Sequence, residues 1–267
     1  MDEYTWGDDV VLLDSDINLL RNFEFDRDGH GVIDIDDYNP FLRNFIQEEI
    51  YKITSKRITI ESYHSEITET EHAAILHNMP YKKNDSEALK EFSMRIEEYV
   101  SSALKQKVRI FNDDIWVRIC RPTHVSNNDY NPCHKDVYLD FYRNMVNIYL
   151  PICGSNENSS LLMESGSHKW NEKDTIATKG GAYFKKENKK YSVDTIVASK
   201  KPLNMIRPNP STSQMIIFSP YLIHGCSLNT NKDETRMSLE IRFILDAPES
   251  CVQEKEFNEF LKTRVWR

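Results

Sequence analysis

The sequence predicts a mainly β domain with flanking helices, and three observations carry the prediction. Apolar and polar residues alternate with period two over Lys107–Phe111, Ile115–Cys120, Asn144–Pro151 and Thr235–Leu245, the pattern of strands with one buried face. Gln214-Met-Ile-Ile-Phe218 is a short apolar run entered through the turn residues Pro208-Asn-Pro-Ser, which suits a buried strand. Helical periodicity is confined to stretches before and after these strands. The 267 residues suit a single domain with a sizeable core. It divides into a helical part over about 1–106, a strand core over about 107–247 and a C-terminal helix over 249–267.

The first element is a short amphipathic helix over 14–25. Asp26–Asp37 then resembles a calcium loop of the EF-hand type, with Asp26, Asp28, Asp34 and Asp37 at oxygen-ligand spacing and Gly31 at the turn position. Two features count against it. His30 stands at an oxygen-ligand position, and Asp37 is shorter than the chelating Glu. The preferred reading is a turn at Asp28-Gly29 followed by a strand, Gly31–Asp36. Asn39-Pro40 opens a helix as N-cap and first-turn proline, with Leu42, Phe45, Ile46, Ile50 and Ile53 as its apolar stripe. Residues 56–82 show no clear period. Ile58-Thr59-Ile60 allows a short strand, and His64, His72 and His77 read as surface or capping residues. A longer helix spans 85–106, capped by Asp85 or Ser86, with Leu89, Phe92, Ile96, Tyr99, Val100, Ala103 and Leu104 on its core face.

Composition excludes some classes. A formal net charge of −8 does not fit a general nucleic-acid binder, which carries a basic surface. No apolar run approaches the ~18 residues of a membrane span, and no signal region opens the chain. The five cysteines, Cys120, Cys133, Cys153, Cys226 and Cys251, are odd in number and form no Cys-x-x-Cys. Free thiols in a reducing, cytoplasmic setting are expected. No nucleic-acid or membrane partner is expected.

The chemistry centres on Tyr130–Tyr138. There His134 and Asp136 stand two apart, so an extended strand projects an imidazole and a carboxylate to one side. A third ligand is supplied by His224, just past the Gln214–Phe218 strand. Two histidines and a carboxylate on one face of a metal leave the opposite positions open, as in non-haem iron oxygenases. A dozen positions further on, Arg236 and Ser238 share the polar face of a strand. Their guanidinium fork and hydroxyl suit a carboxylate. Arg242 is a competing anchor on the same face. Trp116 and Arg118 are placed inward; an inward arginine needs a bound anion or an internal Asp or Glu. Asn147 and Tyr149 also share a face. Cys133 and Cys226 flank the proposed ligands and read as small buried residues.

His134-x-Asp136, the distant His224, Arg236-x-Ser238 and the element Ser165-Gly166-Ser167-His168-Lys169 occur in the order found in Fe(II)/2-oxoglutarate-dependent dioxygenases. Within them the chain resembles the phytanoyl-CoA dioxygenase-like group, where Pro is usual at the position of Ser165. Phe25, Asp28 and Gly29 match that group's opening turn. The resemblance covers roughly 115 to 245. It implies a double-stranded β-helix (jelly roll, cupin-like) with Fe(II) on His134, Asp136 and His224. It also implies 2-oxoglutarate as cosubstrate, its distal carboxylate on Arg236 and Ser238 with a further contact from Asn147, and O2 as oxidant. The implied reaction is hydroxylation of an unactivated C–H bond in a small, anionic metabolite or biosynthetic intermediate, with succinate and CO2 released. Because Asp136 is present, hydroxylation is favoured over halogenation. Trp116, Arg118 and Tyr149 become the substrate-side residues. The eight lysines between Lys173 and Lys201 form either a basic lid over the mouth or a solvated loop. Two rival expectations stand beside this one: a non-catalytic jelly-roll binding protein, and a calcium-binding interaction module built on Asp26–Asp37.

Overall fold

A computed structural model describes residues 5–6, 25–78, 80–126, 129–138, 140–178, 182–184, 189–191 and 193–263. The helix expected over 14–25 lies outside the described residues but for Phe25, as do Lys179, Lys185 and Lys186 of the basic stretch. The strands are β1 (Thr5–Trp6), β2 (His30–Asp34), β3 (Pro80–Lys82), β4 (Val108–Cys120), β5 (Met145–Cys153), β6 (Thr175–Ala177), β7 (Ala182–Phe184), β8 (Lys189–Tyr191), β9 (Ile196–Ser199), β10 (Gln214–Phe218) and β11 (Arg236–Leu245). The helices are α1 (Asn39–Thr54), α2 (Tyr63–Glu66), α3 (Glu69–His77), α4 (Glu87–Leu104) and α5 (Pro248–Thr263).

Six strands form the main antiparallel sheet in the order β2-β10-β5-β11-β4-β3. Its two faces follow directly from the period-two alternation of β11. Met237, Leu239, Ile241 and Phe243 turn outward into one core with Leu42, Ile46 and Ile50 of α1 and Leu89, Phe92, Ile96 and Val100 of α4. Each such side chain contributes about 1.5–3 kcal/mol when fully buried. The opposite face carries Arg236, Ser238, Glu240 and Arg242. Against it lies a second, shorter layer, made of the β-bridges His134–His224, Met163–His224 and Met163–Ile206. Tyr149, Leu161, Met163, Ile216, Phe218 and Leu222 seal the space between the layers. This two-layer arrangement is the double-stranded β-helix.

Several local expectations change. Lys107–Phe111 and Ile115–Cys120 are parts of one strand, β4, bent at Asn112 and Asp113, which hold left-handed φ angles of 55° and 56°. Asn39 does not cap α1. Its side-chain amide donates to the Ile152 carbonyl at 2.6 Å and ties the helix to β5. Ile58 and Ile60 are buried in a loop rather than a strand, and the unassigned stretch after them folds into α2 and α3. A reciprocal Thr68–Glu71 capping box starts α3. His72 is buried, not on the surface, with Nδ1 at 2.8 Å from the Tyr63 hydroxyl. For α4 the cap is Ser86, whose hydroxyl accepts from the Leu89 N–H. Phe257 of α5 packs on Phe111, Met145 and Ile244. Among the described residues no helix is long and apolar enough to cross a membrane.

The Asp26–Asp37 run folds as turn and strand. Phe25–Gly29 is the turn, and His30–Asp34 pairs along β10. The strand separates the carboxylates that a calcium loop would gather, and each has other work, Asp37 by accepting from the Asn39 N–H at 3.1 Å. Asp26 pairs with Lys169 at 2.8 Å, Asp28 accepts from Arg27 and Ser165, and Asp34 accepts from Gln214 at 2.9 Å.

Candidate metal centre

Among the described residues, one group offers three metal-ligating atoms close together: His134, Asp136 and His224, all within 4.8 Å of one another and all buried. His134 and His224 sit opposite each other on two antiparallel segments and exchange both backbone hydrogen bonds, at 2.9 and 3.0 Å. Asp136 is not on a strand, as the spacing had suggested. Its N–H still bonds the Pro220 carbonyl at 2.9 Å, but the chain turns there into a short 3-10 segment. The three side chains converge all the same. His134 Nε2 lies 3.4 Å from Asp136 Oδ1, and His224 Nε2 lies 3.9 Å from Oδ2.

The tautomers are set by the backbone. His134 Nδ1 donates to the Pro132 carbonyl at 2.6 Å and His224 Nδ1 to the Leu222 carbonyl at 2.9 Å. A carbonyl only accepts, so each Nε2 keeps its lone pair for a metal. Burial, together with His134, lowers the His224 pKa to about 4, so that ring is neutral at ordinary pH. Burial opposes ionisation of Asp136, but Arg242 and the two histidines outweigh it and hold the carboxyl well below its usual range. Asn147 donates to Asp136 Oδ2 at 2.7 Å and Arg242 reaches the same oxygen at 3.3 Å.

The segment bearing His224 is held from its other side by the Ser165–Lys169 element. Ile223 N–H donates to Ser167 Oγ, and Glu164 N–H to the Ile223 carbonyl, both at 2.8 Å. Gly166 takes a left-handed φ of 77°, its N–H bonds Asp28 O at 2.8 Å, and His168 Nε2 donates to Asp26 O at 2.8 Å. The acidic turn therefore serves as the footing of this element.

Arg236 lines the same cavity as the triad. It is 3% exposed, its Nη2 contacts Cys120 Sγ, and its Nε and Nη1 have no partner. The Ser238 hydroxyl is buried and also unpartnered. Glu240 on the same strand face supports the Arg236 charge, while Nε, Nη1 and the Ser238 hydroxyl have no hydrogen-bond partner among the described residues, and buried donors left unpaired cost free energy. These donors fit an incoming carboxylate, as the three ligands fit a divalent iron. Arg242 is engaged with Asp136 and stacks over the Tyr142 ring at 4.4 Å, which separates its role from that of Arg236.

The remaining sequence-predicted residues divide. Asn147 lines the cavity, with Oδ1 unpartnered. Arg118 lines it too, and its anion is internal: Nε donates to Glu240 at 2.9 Å. Trp116 lies 41% exposed and is not part of the cavity wall. It sits nearer the sheet edge, where β4 meets β3. Tyr149 is fully buried, bonds Ser155 through its hydroxyl at 2.8 Å, and places its ring 5.9 Å from the Arg236 guanidinium. It flanks the arginine rather than the substrate side. Glu240, Asp129, Tyr130 and Asn131 line the cavity without having been singled out. For Glu240 the signal was present: it shares a face with Arg236, Ser238 and Arg242.

The chain matches no protein-family model and no curated protein. Solved structures share the fold. EvdMO1 superposes with a TM-score of 0.52 at 16% identity, over 86% of this chain and 49% of that one. EctD from S. alaskensis, solved with 2-oxoglutarate and 5-hydroxyectoine, gives 0.52 at 14% identity over 83% and 73% of the two chains. The non-heme alpha ketoglutarate dependent epimerase SnoN from nogalamycin biosynthesis gives 0.51 at 11% identity over 85% and 80%. This chain spans about half the length of EvdMO1. At these identities the likeness establishes the architecture, a cupin-like jelly roll of the kind these proteins use.

Proposed function

We propose that this protein is an Fe(II)- and 2-oxoglutarate-dependent oxygenase that hydroxylates a C–H bond of a small molecule. The observation that carries the reading is the pairing of two features in one cavity: a buried two-histidine, one-carboxylate triad, and the unpartnered donors of Arg236 and Ser238. His134, Asp136 and His224 would hold the iron. When bound, iron and 2-oxoglutarate supply O2 activation coupled to decarboxylation of the keto acid to succinate and CO2.

The chain's own residues do the rest. Arg236 and Ser238 bind and orient the distal carboxylate, with Tyr149 packed beside the guanidinium. Asn147 and Arg242 hold the Asp136 carboxylate, and Asn147 Oδ1 stays available to the cavity. Leu161, Phe218 and Ile148 exclude water from the wall. Arg118, Glu240, Asp129, Tyr130 and Asn131 form the polar side that meets substrate. An anionic group on the substrate would meet Arg118 only by competing with Glu240. The protein solved with 5-hydroxyectoine and 2-oxoglutarate supports a small-molecule substrate. The five free cysteines fit a reducing compartment, where ferrous iron persists.

Anaerobic titration with Fe(II) and 2-oxoglutarate tests the site. A visible charge-transfer band is expected in the wild type, absent in His134→Ala and requiring more 2-oxoglutarate in Arg236→Ala. A full-strength band in His134→Ala rejects the metal assignment. Product mass then separates hydroxylation, a net gain of one oxygen, from epimerisation, which leaves mass unchanged.

A further inference from the structure

The cavity wall carries six charged side chains, equal in number of each sign: Arg118, Arg236 and Arg242 against Asp129, Asp136 and Glu240. All but Arg236 are matched within the protein. Arg242 reaches Asp136 Oδ2 at 3.3 Å, Arg121 grips Asp129 at 2.6 and 2.8 Å, and Arg118 Nε donates to Glu240 at 2.9 Å. Arg236 has no hydrogen-bonded carboxylate among the described residues, and its anion is the cosubstrate carboxylate. A substrate with a net charge would therefore meet a wall with no opposite charge left for it, and burying an unmatched charge is costly.

The three pairs differ in access. The Asp129 and Asp136 side chains are 6% and 4% exposed, whereas Arg118 and Glu240 keep 39% and 29% of theirs. Both signs of this pair are open to a ligand. Strand register places Arg118 opposite Ser238 and Glu240 opposite Trp116. Opposed residues share a face with Cβ atoms about 4.5–5.5 Å apart. The half-exposed Trp116 ring thus stands beside Glu240, where a cation can use carboxylate and indole together. Burial opposes ionisation of Glu240, but Arg118, Arg236 and Arg242 outweigh it and hold the carboxyl below its usual range. Among the described residues only Nε of Arg118 makes a hydrogen bond, which leaves its two Nη groups for a carboxylate.

We propose that Arg118 and Glu240 determine specificity by selecting a zwitterion: a small molecule of zero net charge whose carboxylate meets Arg118 and whose ammonium meets Glu240 and Trp116. Reserving Arg236 for 2-oxoglutarate rests on the function proposed above. The substrate class differs from the anion that the family resemblance implied. An anion would have to displace Glu240 from Arg118 and leave that carboxylate without its partner. A cation would strand Arg118 in the same way. A zwitterion leaves the pair intact and sets its own two charges against it in the opposite order, so that each charge faces its opposite.

The test uses the protein loaded with Co(II) and N-oxalylglycine, an unreactive analogue of 2-oxoglutarate, and four probes of nearly one shape. Glycine betaine is the zwitterion, tert-butylacetate the anion, choline the cation and tert-butylethanol the neutral member. Calorimetric titration should rank betaine first by about tenfold, the scale of a charge-assisted hydrogen bond or a desolvated cation–π contact. Glu240→Gln should bind betaine about tenfold more weakly and turn the preference to tert-butylacetate. Arg118→Gln should turn it to choline. A merely structural role would weaken all four probes together. The double variant Arg118→Gln/Glu240→Gln, which leaves no lone charge and so gives a readout where a single change unfolds the protein, should bind the neutral alcohol as well as betaine. A wild type that prefers the anion or the cation, binds all four equally or binds none would overturn the proposal. Failure of Co(II) and N-oxalylglycine to raise the Tm of the protein would instead overturn the oxygenase reading. That measurement needs no probe, so the two failures are distinct.

Discussion

Asn147 on β5 donates its side-chain amide to Oδ2 of Asp136 at 2.7 Å, so the main sheet steers a candidate metal ligand carried by the opposite layer. Arg242 on the neighbouring strand β11 bonds the same oxygen at 3.3 Å. Both partners restrain how the carboxylate faces a metal, and groups of this kind are worth about 10–100-fold in metal affinity. Asn147→Ala and Arg242→Met should each weaken Co(II) binding within that range. Because they share one oxygen, the double variant should lose less than the product of the two single losses. Equal, fully multiplicative losses would show that they act separately.

Arg236 gives opposite signs in stability and binding. Without cosubstrate its Nε and Nη1 are buried and unpaired, a condition that destabilises the fold. Arg236→Met should therefore raise the Tm of the protein alone while abolishing the stabilisation that 2-oxoglutarate gives in the presence of metal. Arg236→Lys should restore only part of the binding, because an ammonium cannot offer the two-pronged fork. Ser238→Ala should weaken 2-oxoglutarate about 10-fold or more, the scale of one hydrogen bond to a charged group. A fall in Tm for Arg236→Met would remove the idea that this guanidinium waits for an anion.

The candidate site was legible because its signals are local: a two-residue His-x-Asp spacing and a histidine beyond a buried strand for the candidate metal ligands, and an Arg-x-Ser on an alternating face for the proposed carboxylate anchor. The strand faces were legible for the same reason, since period two alone decides that Leu239 enters the core and Arg236 the cavity. What the sequence could not supply were relations across long separations. The partner of Arg118 is Glu240, on a strand whose register with β4 is set by tertiary pairing. The calcium-like acidic run looked like a ligand set because spacing says nothing of what Lys169, Ser165 and Gln214 would do. α2 and α3 were missed since neither carries a strong apolar stripe. Their order comes from capping at Thr68 and from the buried Tyr63–His72 pair.

Gly29 is fixed by His168. Its φ of +74° disfavours any side chain, and a Cβ there would lie 2.3 Å from His168 Nδ1. Gly166 shares the left-handed backbone at φ +77°, but a Cβ would meet nothing nearer than Arg27 O at 3.7 Å. Gly166→Ala should cost about 1–2 kcal/mol from backbone strain alone. Gly29→Ala should cost about 2–4 kcal/mol, since forced displacement of a packed ring adds a further 1–3. Equilibrium urea unfolding of both variants checks the order. Equal losses would mean that His168 moves aside freely and does not brace the turn.

Acid should destabilise the metal-free protein well before its carboxylates titrate. Burial lowers the pKa of His30, His72 and His168, and brings His224 to about 4. A histidine whose folded pKa is depressed stays neutral in the fold while the unfolded chain takes a proton at about 6.5. The unfolded state then binds more protons, so stability rises with pH through this window and falls as pH drops below about 6.5. Asp129, whose folded pKa is lowered against the pull of burial by Arg121, adds its loss only below the unfolded carboxylate value of about 3.9. His72→Gln should flatten the dependence between about pH 6.5 and 5 by up to one proton, because His72 sits buried against Tyr63 and 3.8 Å from Asp129. Urea midpoints measured across that window decide the matter: stability that is level or increases on acidification would mean these rings are charged in the fold, against the burial that surrounds them.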